Sequence, residues 1–288
     1  MGEPEPERPG KFDRDTSVWP VVGAGAQRLF GAEVSPDWRA GRGPHGGYLA
    51  AMLLRALIET VDDPARAPRS LTIHYPRAPQ AGPVSIRTVI EREGRSLTTL
   101  SARMEQDGTL IALVLAAFST AWSGPEIAEE QMPAVEPPDL SPGAATPMNR
   151  AFPAAPPFAG LITLQPRIGG MPFSGEEQPM LVGGWLGMSE PRPIDPLSLA
   201  FYSDALIPSP FLRTPAPVPA PTIELTVHFR VAMPREPEPD PHELCLAQVQ
   251  STFVHDGLFT EDGTIWAADG TLLAQSRQLA ILLAAPIR

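Results

Sequence analysis

The chain has 288 residues, a formal net charge of -11 and a single lysine, Lys11, so nearly all of its positive charge sits on arginine. An acidic chain lacks the basic patch that phosphate contact requires, which excludes the nucleic-acid binders; a lone cysteine, Cys245, excludes internal disulfides, thiolate metal clusters and dithiol redox sites. No run approaches the roughly 20 apolar residues of a membrane helix, and the expectation is a soluble, cytoplasmic protein with no metal and no cofactor.

In chain order, residues 1–16 are polar, proline-bearing and acidic, without the features of a secretory signal, and are read as a disordered tail. After an opening strand, Tyr48, Leu49, Met52, Leu53, Ala56 and Leu57 recur at helical spacing and predict a buried helix from about Gly46 to Thr60. Alternation then predicts strands through Leu71, Ile73 and Tyr75, through Val84, Ile86 and Val89, and through Leu110, Ala112, Val114, Ala116 and Phe118. Short turns fall at Arg92 to Arg95 and Gln106 to Thr109. Residues 125–157, rich in proline, alanine and acidic side chains, read as an extended linker. Beyond it come opening strands at Leu161 to Arg167 and Leu181 to Met188 and a helix near Asp195 to Ile207. Four strands follow, near Thr222 to Ala232, His242 to Val254, Gly257 to Ala267 and Gly270 to Leu283.

The result is two modules, 17–124 and 158–288, and they are copies. Leu71-Thr72-Ile73-His74-Tyr75 recurs as Leu225-Thr226-Val227-His228-Phe229, and Asp107-Gly108-Thr109-Leu110 as Asp269-Gly270-Thr271-Leu272. The separation from Tyr48 to Leu71 equals that from Tyr202 to Leu225, so these stretches overlay without a gap. In that overlay Asp204 falls on Ala50 and Thr222 on Pro68, while the apolar run after Leu110 is replaced after Leu272 by one containing Gln275, Ser276, Arg277 and Gln278. A buried polar group must find partners or destabilise the fold, so polar residues acquired at core-like positions in one copy point to a site. One buried helix followed by antiparallel strands in each copy predicts an α+β fold. Each sheet would curl around its own helix, and the two sheets would join edge to edge, which removes two exposed edges.

Pro44-His45-Gly46-Gly47-Tyr48 opening the first helix, Leu225 to Arg230, and the closing Asp269 to Gln278 resemble the double-hotdog acyl-CoA thioesterases of the type II class, over most of the chain. The resemblance implies a tandem hotdog fold with a long central helix wrapped by the sheet in each half, an acyl-CoA substrate, hydrolysis to a free acid and CoA, and a place in lipid metabolism; it also allows further pairing of double-hotdog units into a homo-oligomer. It implies a catalytic Asp, Thr and Gln that hold a hydrolytic water, which match Asp204, Thr222 and Gln278. These are the positions singled out by the asymmetry between the copies.

Thioester hydrolysis needs an activated water and donors for the developing oxyanion. Asp204 suits the base, Thr222 and Gln278 the orientation of the water. The N–H groups that open the first helix suit the oxyanion, making Gly46, Gly47 and Tyr48 the candidate oxyanion and substrate-binding residues. With the two helices side by side, Gly47 would face Asp204. Arg42, Arg92 and Arg95 are candidate contacts for the CoA phosphates. His45 has no carboxylate partner in the local sequence and reads as a structural hydrogen-bonding residue, and no histidine has metal-ligand spacing. Gly41 to Gly46 matches a dinucleotide-loop pattern but precedes antiparallel strands instead of a β-α-β unit. No Gly-x-Ser-x-Gly elbow is present, which argues against an α/β-hydrolase. Two other readings stand beside hydrolysis: a hotdog dehydratase or hydratase using His45 with Asp204, and a non-catalytic protein that binds an acyl thioester or lipid.

Overall fold

The protein is described by a computed structural model covering residues 9–24, 26–141, 147–148, 155–174, 176–235 and 240–283. The N-terminal half runs α1 (Lys11–Asp15), β1 (Val18–Ala24), β2 (Gln27–Val34), β3 (Arg39–Ala40), β4 (Gly43–Pro44), α2 (Gly46–Val61), β5 (Ala67–His74), β6 (Gly82–Glu93), β7 (Leu97–Gln106) and β8 (Thr109–Ser119). The C-terminal half runs β9 (Ile162–Ile168), β10 (Leu181–Met188), α3 (Pro196–Tyr202), β11 (Thr222–Phe229), β12 (Cys245–Gln250), β13 (Val254–His255), β14 (Leu258–Trp266) and β15 (Leu272–Ile281). Among the described residues, no helix is long and apolar enough to cross a membrane.

Local chemistry sets the boundaries. The helix α2 starts after His45, whose extended backbone and ring nitrogen cap it, and ends where Asp62 takes a left-handed conformation at φ 50°. The hairpin between β7 and β8 closes through Asp107 and Gly108, with φ values of 50° and 73°, the double left-handed turn that matches strand twist. Along β7 and β8 alternate side chains are buried, and these inward rows close over α2.

Apart from β3 and β4, which pair with each other, the strands form one antiparallel sheet in the order β1-β2-β6-β7-β8-β5-β11-β15-β14-β12-β10-β9, with β13 attached to β14. The order is nearly a mirror about the β5–β11 junction, where the sequence repeat pairs with itself. In that junction Thr72 lies opposite Thr226, and their hydroxyl oxygens are 3.0 Å apart. Residues equivalent by sequence therefore meet on a pseudo-twofold axis. The register carries the equivalence outward: Leu71 pairs with Ala116, as Leu225 pairs with Gln278. Both halves contribute to one continuous apolar core around α2 and α3.

Three expectations need correction. The helices are unequal, because α2 has 16 residues and α3 only seven. Asp195 and Ser198 form a capping box around Pro196, but the chain tightens at Asp204 and Ala205, whose N–H groups bond back three residues to Phe201 and Tyr202. Pro208 and Pro210 then bar any continuation, since neither offers an N–H and each disfavours helix in the residue before it.

The second correction concerns the expected disordered tail. Lys11–Asp15 is a helix whose buried Phe12 packs edge-on against Trp38 and Phe201, with the Arg192 guanidinium 4.9 Å from its ring centroid. Asp13 accepts from Arg55 of α2 at 2.9 Å and from Arg192 at 3.0 Å, so this segment ties the two halves together. Residues 1–8 of the expected tail lie outside the described residues. Third, the expected linker is extended but not free. Met132 and Val135 pack against Trp185, Leu246 and Trp266, and the Trp185 indole donates to the Glu136 carbonyl at 2.8 Å. Residues 142–146 and 149–154 of it lie outside the described residues.

Candidate functional site

The N-terminus of α2 meets the C-terminal end of α3, and the hydrogen bonds there are nearly all assigned. A helix opens with four N–H groups that lack intrahelical partners. His45 N–H donates to Trp38 O at 2.7 Å, Tyr48 N–H to the His45 ring Nδ1 at 3.3 Å, and Gly47 N–H to Asp204 Oδ2 at 2.8 Å. The fourth, Gly46 N–H, donates to no partner among the described residues. Asp204 follows α3, at the end of a helix dipole that disfavours a carboxylate, and meets the positive end of α2 instead.

His45 is fixed in one neutral tautomer. Its Nδ1 accepts from Tyr48, so the proton is on Nε2, which donates to the Asp204 carbonyl at 2.9 Å. Burial pushes its pKa down, against the pull of the Asp204 carboxylate 3.7 Å away. The ring packs on Phe158 and Phe201, and both nitrogens are engaged. Burial pushes the pKa of Asp204 up, with His45 and the Gly47 N–H opposing. Its side chain keeps 12% exposure.

Thr222 and Gln278 lie in a second cluster. The Thr222 hydroxyl donates to Gln278 Oε1 at 3.1 Å, Gln278 Nε2 donates to Glu261 Oε2 at 2.9 Å, and Ser209 N–H donates to Glu261 Oε1 at 2.7 Å. Gln278 and Glu261 are cross-strand neighbours on β15 and β14. Tyr75 joins the clusters. Its N–H bonds to the carbonyl of Ile223, next to Thr222, while its hydroxyl donates to the Gly46 carbonyl at 3.0 Å. Tyr75 thus spans from the residue beside Thr222 to the mouth of α2. The charge of Asp204 adds to the upward pKa shifts of both Tyr75 and Glu261, after burial as the main cause.

Asp204, Gly46, Gly47, Thr222 and Gln278 thus share one region of the molecule; other expected site residues do not join them. The Gly47 N–H is occupied by Asp204 and is not free for an oxyanion. Tyr48 belongs to the core: its ring stacks on Trp38 and its hydroxyl donates to Asp15 O at 2.6 Å. Arg42 is exposed in the turn just before α2. Arg92 and Arg95 flank the β6–β7 turn, where Arg66 beyond the C-terminus of α2 donates to Gly94 O at 3.0 Å. That is the far end of a helix roughly 24 Å long, so these two arginines are not at this site. Two neighbours of the site were missed from sequence. Glu261 was legible, because strand alternation puts it in an inward row with Phe259, Gly263 and Ile265. Tyr75 was read only as a strand residue.

The profile of the acyl-CoA thioesterase C-terminal domain matches residues 130–282, and that of the N-terminal domain matches residues 34–121. A search of curated proteins gives no match. Among solved structures, a conserved protein of unknown function with a hotdog fold from Alicyclobacillus acidocaldarius is 27% identical. It superposes with a TM-score of 0.81 over 96% of this chain and 100% of its own. A putative thioesterase II from Thermobifida fusca is 26% identical, with a TM-score of 0.76 over 95% of this chain and 97% of its own. An acyl-CoA thioesterase II from Mycobacterium marinum shares the fold at 21% identity, with a TM-score of 0.71 over 94% and 98% of the two chains. With two thioesterase domains in tandem and a hotdog sheet running through both, the chain belongs to the acyl-CoA thioesterase family.

Proposed function

We propose that this chain hydrolyses acyl-CoA to a free acid and CoA at the junction of α2 and α3, within modules spanning 17–124 and 158–288. The observation that carries the reading is the pairing of one uncommitted helix N-terminal donor, Gly46 N–H, with a carboxylate, Asp204, at the same helix mouth. Asp204 accepts a proton from a water held by Thr222 and Gln278, and the water oxygen bonds to the thioester carbonyl carbon. Charge developing on the carbonyl oxygen is met by Gly46 N–H at the positive end of the α2 dipole. The C–S bond then breaks, and the departing thiolate takes the proton held on Asp204. A raised pKa makes Asp204 a stronger base than an exposed carboxylate. Dehydration or hydration through His45 is disfavoured, since both its ring nitrogens are engaged within the fold.

The test is release of CoA thiol from short, medium, long and aromatic acyl-CoAs, with Asp204→Asn run alongside. The amide oxygen of asparagine still accepts from Gly47 N–H, so the fold is kept while the proton acceptor is lost. The expected result is turnover by the wild type and a fall of about 100-fold or more in the variant. No release from any substrate, or equal rates for both proteins, refutes the reading.

A further inference from the structure

The alternation of β14 sends Glu261 inward with Phe259 and Ile265, and its residue is 3% exposed. Among the described residues no cation is paired with it. Its two oxygens instead accept one bond each, from the backbone N–H of Ser209 and from Gln278 Nε2. Burying a carboxylate without a cation is unfavourable, and a neutral side chain would fill the same space. Core packing alone gives no reason for it.

An ionised carboxylate only accepts hydrogen bonds, whereas an amide has one accepting and one donating end. In its ionised form Glu261 therefore admits one of the two orientations of the Gln278 amide, with nitrogen toward Glu261 and oxygen toward Thr222. The Thr222 hydroxyl must then donate to that oxygen, as it does at 3.1 Å. Two groups are left over: the second Nε2–H of Gln278, a donor, and a lone pair on Thr222 Oγ1, an acceptor. With Asp204 as a second acceptor, the set matches a water that gives two hydrogens, receives one, and keeps a lone pair for the carbonyl carbon. Ser209 N–H anchors this polarity, because a backbone donor cannot exchange roles.

We propose that Glu261 is a positioning residue of the hydrolytic site, fixing the polarity of the Gln278 amide and the Thr222 hydroxyl so that together they orient the attacking water. This rests on the hydrolase reading above and adds to it a residue that touches neither water nor thioester.

The test is Glu261→Gln in the full chain, beside the wild type and Asp204→Asn, assayed above pH 7 where Glu261 is ionised. Ser209 N–H holds the new amide oxygen, which turns the new amide nitrogen toward Gln278 and flips the Gln278 amide. The expected result is a kcat lower by about 10- to 100-fold, with KM and melting temperature kept or the latter raised. A merely structural role would leave kcat alone. The second readout needs no turnover: with glutamine side chains 15N-labelled, the Gln278 NH2 resonances, assigned by their loss in Gln278→Met, should shift in Glu261→Gln. If the wild type hydrolyses acyl-CoA and Asp204→Asn does not, an unchanged kcat in Glu261→Gln overturns the proposal alone. If no substrate is hydrolysed, the hydrolase reading falls by itself. Unshifted Gln278 resonances overturn the positioning role in either case.

Discussion

Two adjacent glycines open α2, and adding one methyl group to each should give opposite outcomes. A Cβ on Gly46 would stand 2.8 Å from Asp204 Oδ2, with Tyr75 Cζ at 3.7 Å. The obstructing atom is the end of a side chain, so the carboxylate retreats by about half an ångström and stretches its bond to Gly47 N–H. Weakening that bond costs about 1 kcal/mol, and replacing glycine in a helix returns up to about 1 kcal/mol. Stability should barely change. The displaced base should lower kcat by about 100-fold, while the Gly46 N–H itself remains.

A Cβ on Gly47 would meet the backbone instead, 2.5 Å from Phe201 O and 3.1 Å from Phe201 Cα. Neither atom can withdraw unless α2 and α3 separate, so Gly47→Ala should cost about 3 kcal/mol. For a chain of this size that is a fall of about 6–12 °C in melting temperature. Thermal unfolding and thiol release measured on both variants separate the cases. A Gly46→Ala protein with wild-type kcat, or a Gly47→Ala protein with wild-type melting temperature, refutes the reasoning.

Two further outcomes follow from buried groups. Burial raises the Glu261 pKa from 4.5 to about 7; hydrogen bonds from Ser209 and Gln278 restrain the rise and the charge of Asp204 adds to it. Between these pH values the folded protein holds a proton that the unfolded chain lacks, so the contribution is fully present below pH 4.5 and is lost as pH rises through 7. The advantage of Glu261→Gln over the wild type should grow by about 3 kcal/mol from pH 4.5 to above 7, read from urea unfolding; a difference constant with pH counts against it. Phe12→Ala should destabilise by about 3 kcal/mol or more in the same assay, where a free tail would give no change.

How much of this was legible in the sequence depended on whether the signal was local. The helix α2, the β7–β8 hairpin and the strands of the repeat could be read because periodicity and turn chemistry act within a few residues. The overlay of the two copies made Thr72 and Thr226 equivalent and the sheets were expected to join edge to edge, but that β5 and β11 are the strands that meet depends on long-range pairing. What failed depended on distant partners. Phe12 looks solvent-bound among polar neighbours until Trp38 and Phe201 are brought over it. Arg92 and Arg95 were grouped with Arg42 by charge alone, and only the direction of α2 separates them. That Gly47 faces Asp204 could be read from the expected side-by-side helices, but not that the carboxylate takes up the Gly47 N–H, because that depends on where α3 stops. Glu261 could have been found from the inward row of β14, but a Glu-Asp pair beside a glycine resembles a turn.

The pseudo-twofold axis through Thr72 and Thr226 makes this chain a dimer whose two subunits are free to diverge. In a dimer of identical subunits, a glutamine gained on one strand appears on both, and both copies must tolerate it. Here Gln278 has a register equivalent in Ala116, and the overlay sets Ala50 and Pro68 against Asp204 and Thr222. One half has kept apolar residues that stabilise the shared core, and the other carries the buried polar groups that weaken it. Fusion thus lets one module stabilise the other, and leaves one candidate reaction centre where symmetry would have given two.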